Sequence, residues 1–272
     1  MSLSILNSIS SLKAENALSS TQASLQKVLT QLSTGLKVNS GSDDAAGLAI
    51  ANGLSGNIAA LTQSSQNATD GIGLLQTADG ALSQVTSLLN RAVTLATEAA
   101  NGGLSTSQST ALDNEYQSIL TEIGNIGSTT NFNGTAVFGA TANIFTSDGT
   151  TSGSNTVSAA IGALTTTALA LNGTDLTSTA NATTALSAIT AAIQTVAANR
   201  GSIGATVNQL TADASVQSTE VTNLTSAQNS IQNADIGQTV AQMTQFNVLQ
   251  QTGMAALSQS NQAQQAVLKL LQ

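Results

Sequence analysis

Apolar residues recur at alternating steps of three and four along most of the chain, with polar residues between them. From Asp44 to Ala100 the series Leu54, Ile58, Leu61, Ala68, Ile72, Leu75, Leu82, Val85, Leu89, Ala92 and Ala96 predicts one long heptad-patterned helix. Its seven-residue line Leu61, Ala68, Leu75, Leu82, Leu89, Ala96 is unbroken, whereas Ser65 and Asp79 interrupt the companion line. Ser42, Asp43 and Asp44 offer N-cap side chains, and Asn101-Gly102-Gly103 offers a stop. Such a helix runs roughly 85 Å at about 1.5 Å per residue.

A second helix is predicted from Ser105 to Ile126, with Leu112, Tyr116, Ile119, Leu120 and Ile123 on one face. The short Gly-Gly link makes the two an antiparallel hairpin. Between about 128 and 180 the pattern changes to Thr, Asn, Gly and Ser, with β-type pieces at Thr135 to Phe138, Ala142 to Phe145 and Thr156 to Ile161. Asn133-Gly134 and Asp148-Gly149 mark turns. This span is short and poor in large apolar groups, so it reads as a hairpin-bearing excursion and not as a separate domain. Heptads resume from Ala182 as Leu186/Ile189, Ile193/Val196, Arg200/Ile203, Val207/Leu210, Ala214/Gln217, Val221/Leu224 and Gln228/Ile231.

Both chain ends read as lone amphipathic helices. Ile5, Ile9, Leu12, Leu18, Leu25, Leu29 and Leu32 stripe one, and Ile236, Val240, Met243, Leu249, Leu257, Val267, Leu268 and Leu271 the other. They can bury those stripes only against each other or against another copy. The chain therefore goes out and comes back, with its termini together. The fold class is mainly α, with long antiparallel heptad helices, paired terminal helices and a small β excursion. Gly47, Gly53, Gly56, Gly71, Gly73 and Gly80 lie inside the first long helix, and each costs about 1 kcal/mol against alanine. Close packing against neighbours has to offset that.

Composition narrows the chemistry. The 272 residues contain no Cys, His, Pro or Trp, and only four Phe and one Tyr. Without Cys or His there is no thiolate or imidazole metal site, no Ser-His-Asp or Cys-His catalysis, and no group titrating near neutrality by nature. No cofactor is expected. Net charge is −8 with six basic residues scattered at Lys13, Lys27, Lys37, Arg91, Arg200 and Lys269, which leaves no cationic track for nucleic acid or anionic lipid. The first residues lack the basic region and apolar block of a cleaved signal peptide, and no run of about 18 apolar residues can span a bilayer. Asp43-Asp44 are not paired catalytic carboxylates, since consecutive helical positions do not face each other; they read as caps. Gly71-Ile72-Gly73 lacks the third glycine of a dinucleotide fingerprint. Asn-x-Thr triplets at Asn67, Asn133, Asn172, Asn181 and Asn223 are what chance supplies in a chain this rich in Asn and Thr. Arg200 is the one charged seam residue; its stem either snorkels to solvent or its head sets register against a carboxylate of the adjacent helix.

Two stretches carry a resemblance. LSTGLKVNSGSDDAAGLAIAN from Leu32 to Asn52, then LTQSSQNATDGIGLLQTADGAL from Leu61 to Leu82, closely resemble the N-terminal region of bacterial flagellins. The likeness continues through LNRAVTLATEAANG and TNFNGTAVF and returns at the C-terminus as LTSAQNSIQNADIGQTVAQMTQFNVLQQTGMAALSQSNQAQQAVLKLLQ. It leaves out only about 140 to 180.

The resemblance implies a structural subunit that self-assembles into the flagellar filament for swimming, with no enzymatic activity. It implies an inner-tube domain from 1–38 and 233–272, and a rod domain from 39–232 with the short excursion at about 128–180. The implied partners are other copies of itself, the flagellar export apparatus and its chaperone, the filament cap and the hook-junction proteins. Export through the flagellum's own channel needs no cleaved signal peptide, and the destination is extracellular. Terminal helices without a large partner should order on assembly, and a head-to-tail contact that does not close into a ring gives a helical polymer. Leu32, Leu36, Val267, Leu268, Leu270 and Leu271 are the expected interface residues. Resemblance also implies an innate immune-receptor contact of animal hosts at Arg91, Leu95 and Glu115, although Val93 and Thr94 replace charged residues of strongly recognised relatives. The alternative for that trio is a core or lattice Leu95 beside a solvated Arg91–Glu115 pair. Where relatives carry O-linked sugars, the matching span here is Ser147 to Thr179. A Gln at 264 and 265 in place of the frequent proline, and a final Gln272 in place of Arg, depart from the family pattern. The alternatives are a hook–filament junction protein, which shares the terminal helices, and a secreted enzyme or adhesin on a coiled-coil stalk, for which the central span leaves little room.

Overall fold

A computed structural model describes residues 9–149 and 156–270. Five helices and two small hairpins follow in the order α1 (Ile9–Thr34), α2 (Ala45–Ala99), α3 (Thr106–Thr129), β1 (Asn131–Phe132), β2 (Thr135–Ala136), β3 (Thr141–Phe145), β4 (Thr156–Ala160), α4 (Thr179–Gln232) and α5 (Ile236–Leu270). The chain divides into a terminal unit, Met1–Gly56 with Asn223–Gln272, and a central unit, Asn57–Thr222.

The central unit holds the hydrophobic core. The predicted line on α2 is its spine, since Leu61, Ala68, Leu75, Leu82, Leu89 and Ala96 are all buried. Tyr116, Ile119, Leu120 and Ile123 of α3 pack into the same core. On α4 the buried positions are Ala182, Ala185, Ile189, Ala192, Val196, Ile203, Leu210 and Gln217. In the first five predicted pairs the second member is therefore central and the first is not, whereas Leu224 and Ile231 of the last two pairs are half-buried. Leu186, Ile193 and Val207 are half-buried flanks packed against the core, and alanines at 185 and 192 let α4 approach its neighbours closely. Arg200 belongs to that flank.

The span predicted as an excursion is wrapped into the core. Val137, Phe138, Ile144, Val157, Ile161, Leu164, Leu169, Leu171 and Leu176 all join the cluster built on α2, α3 and α4. Its apolar side chains are few, yet nearly all point inward. β1 and β2 pair antiparallel around Asn133 and Gly134, both at positive φ, as the Asn-Gly signal requires. β3 and β4 pair from Thr141↔Ala160 to Phe145↔Thr156, with Ile144 opposite Val157 on the buried face. Two glycines exist for this packing. A Cβ on Gly71 would overlap Ile144, and one on Gly127 would overlap the Leu164 carbonyl.

In the terminal unit α1 lies antiparallel to α5. Ser11 Oγ and Ser260 Oγ share a hydrogen bond of 2.9 Å, Leu18 lies against Gly253, and the backbone of Leu36 bridges to Asn233. Gly35, with φ +74°, ends α1 in the left-handed cap conformation. The turn after it is stitched to the α4–α5 junction by Lys37 N–H to Gln232 O (2.7 Å) and Ala234 N–H to Gly35 O (2.9 Å).

Candidate functional site

The terminal unit buries few apolar side chains. Among the described residues these are Val28, Val38 and Ala51. A second set remains open to solvent although α1 and α5 are paired: Ile9, Leu12 and Leu29 on α1, and Ile236, Val240, Val248, Leu249 and Met254 on α5, between 40% and 66% exposed. Single exposed apolar residues are ordinary, but eight of them on two helices that have already paired leave apolar area that the terminal unit does not bury. Leu32 and Leu36 are half-buried at the C-terminal end of α1. The side chains of Val267, Leu268, Leu270 and Leu271 lie outside the described residues.

The loop between α1 and α2 is fixed by the two aspartates that the sequence marks as caps, and they divide the work. Asp44 caps α2, accepting from Gly47 N–H at 2.9 Å. Asp43 instead accepts from Asn39 N–H and Ser40 N–H, both at 3.1 Å, and pairs with Lys27 Nζ of α1 at 2.9 Å. The Lys27 ammonium, with the Asn39 backbone N–H and the Ser40 hydroxyl, lowers the Asp43 carboxyl to about 2.

In the central unit Arg91 of α2 pairs with Glu115 of α3, its Nε at 2.8 Å and Nη2 at 2.7 Å both reaching the single oxygen Oε1, with both side chains about half exposed. Leu95 is 1% exposed and belongs to the core. Arg200 meets Asp79, the residue that breaks the companion line on α2, with Nε to Oδ1 at 2.7 Å and Nη2 to Oδ2 at 3.2 Å. The two irregularities of the heptad pattern thus satisfy each other. The stem runs outward to a guanidinium 38% exposed, so Arg200 both snorkels and grips a carboxylate on the neighbouring helix. That hydrogen-bonded contact lowers the Asp79 carboxyl and raises Arg200.

Sequence reasoning missed one buried polar group. Gln217 looks like an ordinary seam residue, yet it is 4% exposed, and its Nε2 donates to Thr146 O (2.8 Å) and Ser64 Oγ (3.0 Å). Asn67 Nδ2 adds a bond to Phe145 O at 3.3 Å. Together they seat the end of β3 on α2 and α4. The only available signal was a glutamine on a buried heptad line. Another pin holds the segment before α4: the Tyr116 hydroxyl pairs with Thr174 Oγ1, and Leu176 N–H donates to Asp113 Oδ1 at 2.8 Å. Burial pushes the Tyr116 phenol up.

The polar groups of these arrangements pair with each other, and their bonds fix elements. Among the described residues no cluster of three or more acidic side chains is grouped to hold a metal ion, and no described helix is long and apolar enough to cross a membrane. What the geometry offers is exposed apolar surface on the terminal helices.

Known proteins with this organisation share one role. The bacterial flagellin N-terminal helical region matches residues 5–143, and the bacterial flagellin C-terminal helical region matches residues 186–271. A flagellin of Halalkalibacterium halodurans is 36% identical over 251 residues, covering 90% of this chain and 91% of the relative. A flagellin of Bacillus subtilis is 31% identical across 98% of this chain and 99% of its own length. The crystal structure of Bacillus cereus flagellin superposes with a TM-score of 0.50 at 31% identity, covering 56% of this chain and 88% of that one. These matches run through the central helices as well as the ends, and none of them favours a hook–filament junction protein. The chain belongs to the bacterial flagellin family and is a structural subunit of the flagellar filament.

Proposed function

We propose that the subunit polymerises by burying the outer faces of α1 and α5 against other copies, and that its part in motility is wholly mechanical, without catalysis. The observation that carries this reading is the set of apolar residues, Ile9, Leu12 and Leu29 on α1 and Ile236, Val240, Val248, Leu249 and Met254 on α5, left open after the two helices have paired. Transfer of such side chains out of water is worth about 25 cal/mol per Å². It is repeated at every subunit, so a polymer gains what a monomer cannot. Leu32 and Leu36, both half-buried, and the C-terminal Val267, Leu268, Leu270 and Leu271 are assigned to the same interface. A contact between different faces of successive copies propagates without closing, which is the symmetry of a filament.

The same reading assigns the remaining partners. The subunit leaves the cell through the flagellar export apparatus with a chaperone, without a cleaved signal peptide, and adds beneath a cap on a filament based on the junction proteins. A host receptor docking on the central unit would do so on the Arg91–Glu115 pair, with Leu95 beneath as support. The deciding experiment is seeded polymerisation followed by electron microscopy. Intact chain should extend short seeds into long filaments, with slowed hydrogen exchange in α1 and α5. A chain lacking residues 267–272 should remain monomeric with its central unit folded. Normal filaments from the truncated chain would overturn the assignment of the C-terminal leucines.

A further inference from the structure

Oxidisable side chains are scarce in this chain. It has no cysteine, histidine or tryptophan, and its one tyrosine, Tyr116, is fully buried. That leaves the thioethers of three methionines. Met1 lies outside the described residues, and Met243 of α5 is half-buried. Met254, also on α5, is 50% exposed. An exposed thioether is oxidised more readily than a packed one, so Met254 is the side chain that a peroxide meets first.

Its place on α5 gives that reaction a consequence. Gly253 lies against Leu18 of α1, and the next position is turned about 100° away from that contact. At about 3.6 residues per turn, Met254 follows Ile236 by about five turns, which puts it on the face that carries Ile236 and Val240. All three side chains remain open after α1 and α5 have paired. A thioether suits such a surface, being apolar, unbranched and able to fill irregular gaps. A peroxide changes it in one step. A sulfur lone pair attacks one oxygen of the O–O bond, and the S–O bond forms as the O–O bond breaks. The other oxygen leaves as water or an alcohol, taking the proton of the transferred oxygen. The sulfur has then given two electrons to the peroxide and become a polar sulfoxide. A polar group carried into an apolar contact without a hydrogen-bond partner is unfavourable, and here each oxidised subunit would carry one.

We propose that Met254 is a modification site for peroxides, that its sulfoxide withdraws the free subunit from assembly, and that incorporation into the filament shields it. The inference rests on the filament reading above. Free chain and seeded filaments are treated with the same hydrogen peroxide, and the oxygen gained at each methionine is followed by peptide mass spectrometry. Met254 should oxidise faster in the free chain than in the filament by about fivefold or more, and faster there than Met243. Oxidised chain, its helicity unchanged, should need a concentration higher by about fivefold or more to extend seeds. A methionine sulfoxide reductase with its thiol reductant should restore growth. Met254→Leu, close in volume and a good helix former, should assemble normally and resist peroxide, whereas Met243→Leu should stay sensitive. Equal oxidation rates at Met254 in the two states overturn the proposal, as does oxidised chain that assembles at the unaltered concentration or a Met254→Leu chain that peroxide still disables. Should Met254→Leu fail to add to seeds before any oxidation, the rates and the reductase rescue on the unaltered chain decide. Failure of the unoxidised, unaltered chain to extend seeds would remove the filament reading itself, a result distinct from filaments in which Met254 stays open.

Discussion

Asp43 and Gln217 show how single residues hold this subunit together. Asp43 is drawn to about 2 by Lys27, the Asn39 backbone N–H and the Ser40 hydroxyl. Because this lies below its ordinary value of 3.8, the charged carboxylate contributes stability that is complete above about pH 4 and is lost as pH falls towards 2. A carboxyl NMR titration should place its midpoint near 2, and Lys27→Met should move it up towards 3.8; an unmoved midpoint would show that the lysine has no part. Gln217 acts in the opposite setting, fully desolvated. Its Oε1 has no hydrogen-bond partner, so the residue is retained at some cost for what Nε2 does at Thr146 and Ser64. Gln217→Leu should destabilise the monomer by about 1–3 kcal/mol, and amide exchange should quicken first at residues 145–147. Equal or greater stability would mean that the orphaned acceptor outweighs both donated bonds. By contrast, the Arg200–Asp79 pair is more than a third exposed on both sides, where solvent screening keeps such pairs to about 1 kcal/mol or less. Its value is geometric, since it matches the charged break on the α2 line to the charged seam position of α4.

At the scale of elements, legibility in the sequence followed the size of the side chains. The α2 line is readable because Leu61, Leu75, Leu82 and Leu89 are large and seven apart, and all are buried. On α4 the largest apolar residues misplace the centre by one position, because Leu186 and Ile193 flank a seam that Ala185 and Ala192 occupy. A hydrophobic pattern weights bulk, whereas helices that approach closely select small residues. The 128–180 span was legible as hairpins and turns but not as core, since Leu164, Leu169, Leu171 and Leu176 lie in irregular backbone with no period to detect. Of the surface, the stripes on α1 and α5 could be read from the 3/4 spacing. Helix α3 ties the irregular span down, and its start is set by a capping box in which Ser105 and Gln108 bond reciprocally. Its Tyr116 is fully buried with the hydroxyl on Thr174. Tyr116→Phe should cost about 1 kcal/mol, seen as a Tm lower by about 2–4 °C, with the 174–178 segment losing exchange protection. Loss of protection throughout the helix would instead mean that the ring and not the hydroxyl was disturbed.

For the whole molecule the division of charge decides how copies meet. The terminal unit balances four acids with four lysines, and the entire net charge of −8 falls on the central unit, whose two arginines are already engaged with Glu115 and Asp79. No arginine of that unit is left to pair with a neighbour's carboxylate, so its contribution to association is repulsive, while the apolar row on the neutral terminal helices is attractive. Assembly is the difference between the two. Salt weakens the first and leaves the second nearly intact, because screening shortens the Debye length from about 20 Å at about 20 mM to about 7 Å at about 200 mM. The critical concentration for seeded growth should therefore drop at least severalfold across that range. Replacing two exposed acids, Glu98→Gln with Glu220→Gln, should lower it at low salt and flatten the salt dependence without altering monomer Tm. A critical concentration indifferent to both salt and these neutralisations would mean that central units stand too far apart in the filament to feel each other's charge. In that case the terminal helices alone would carry the polymer.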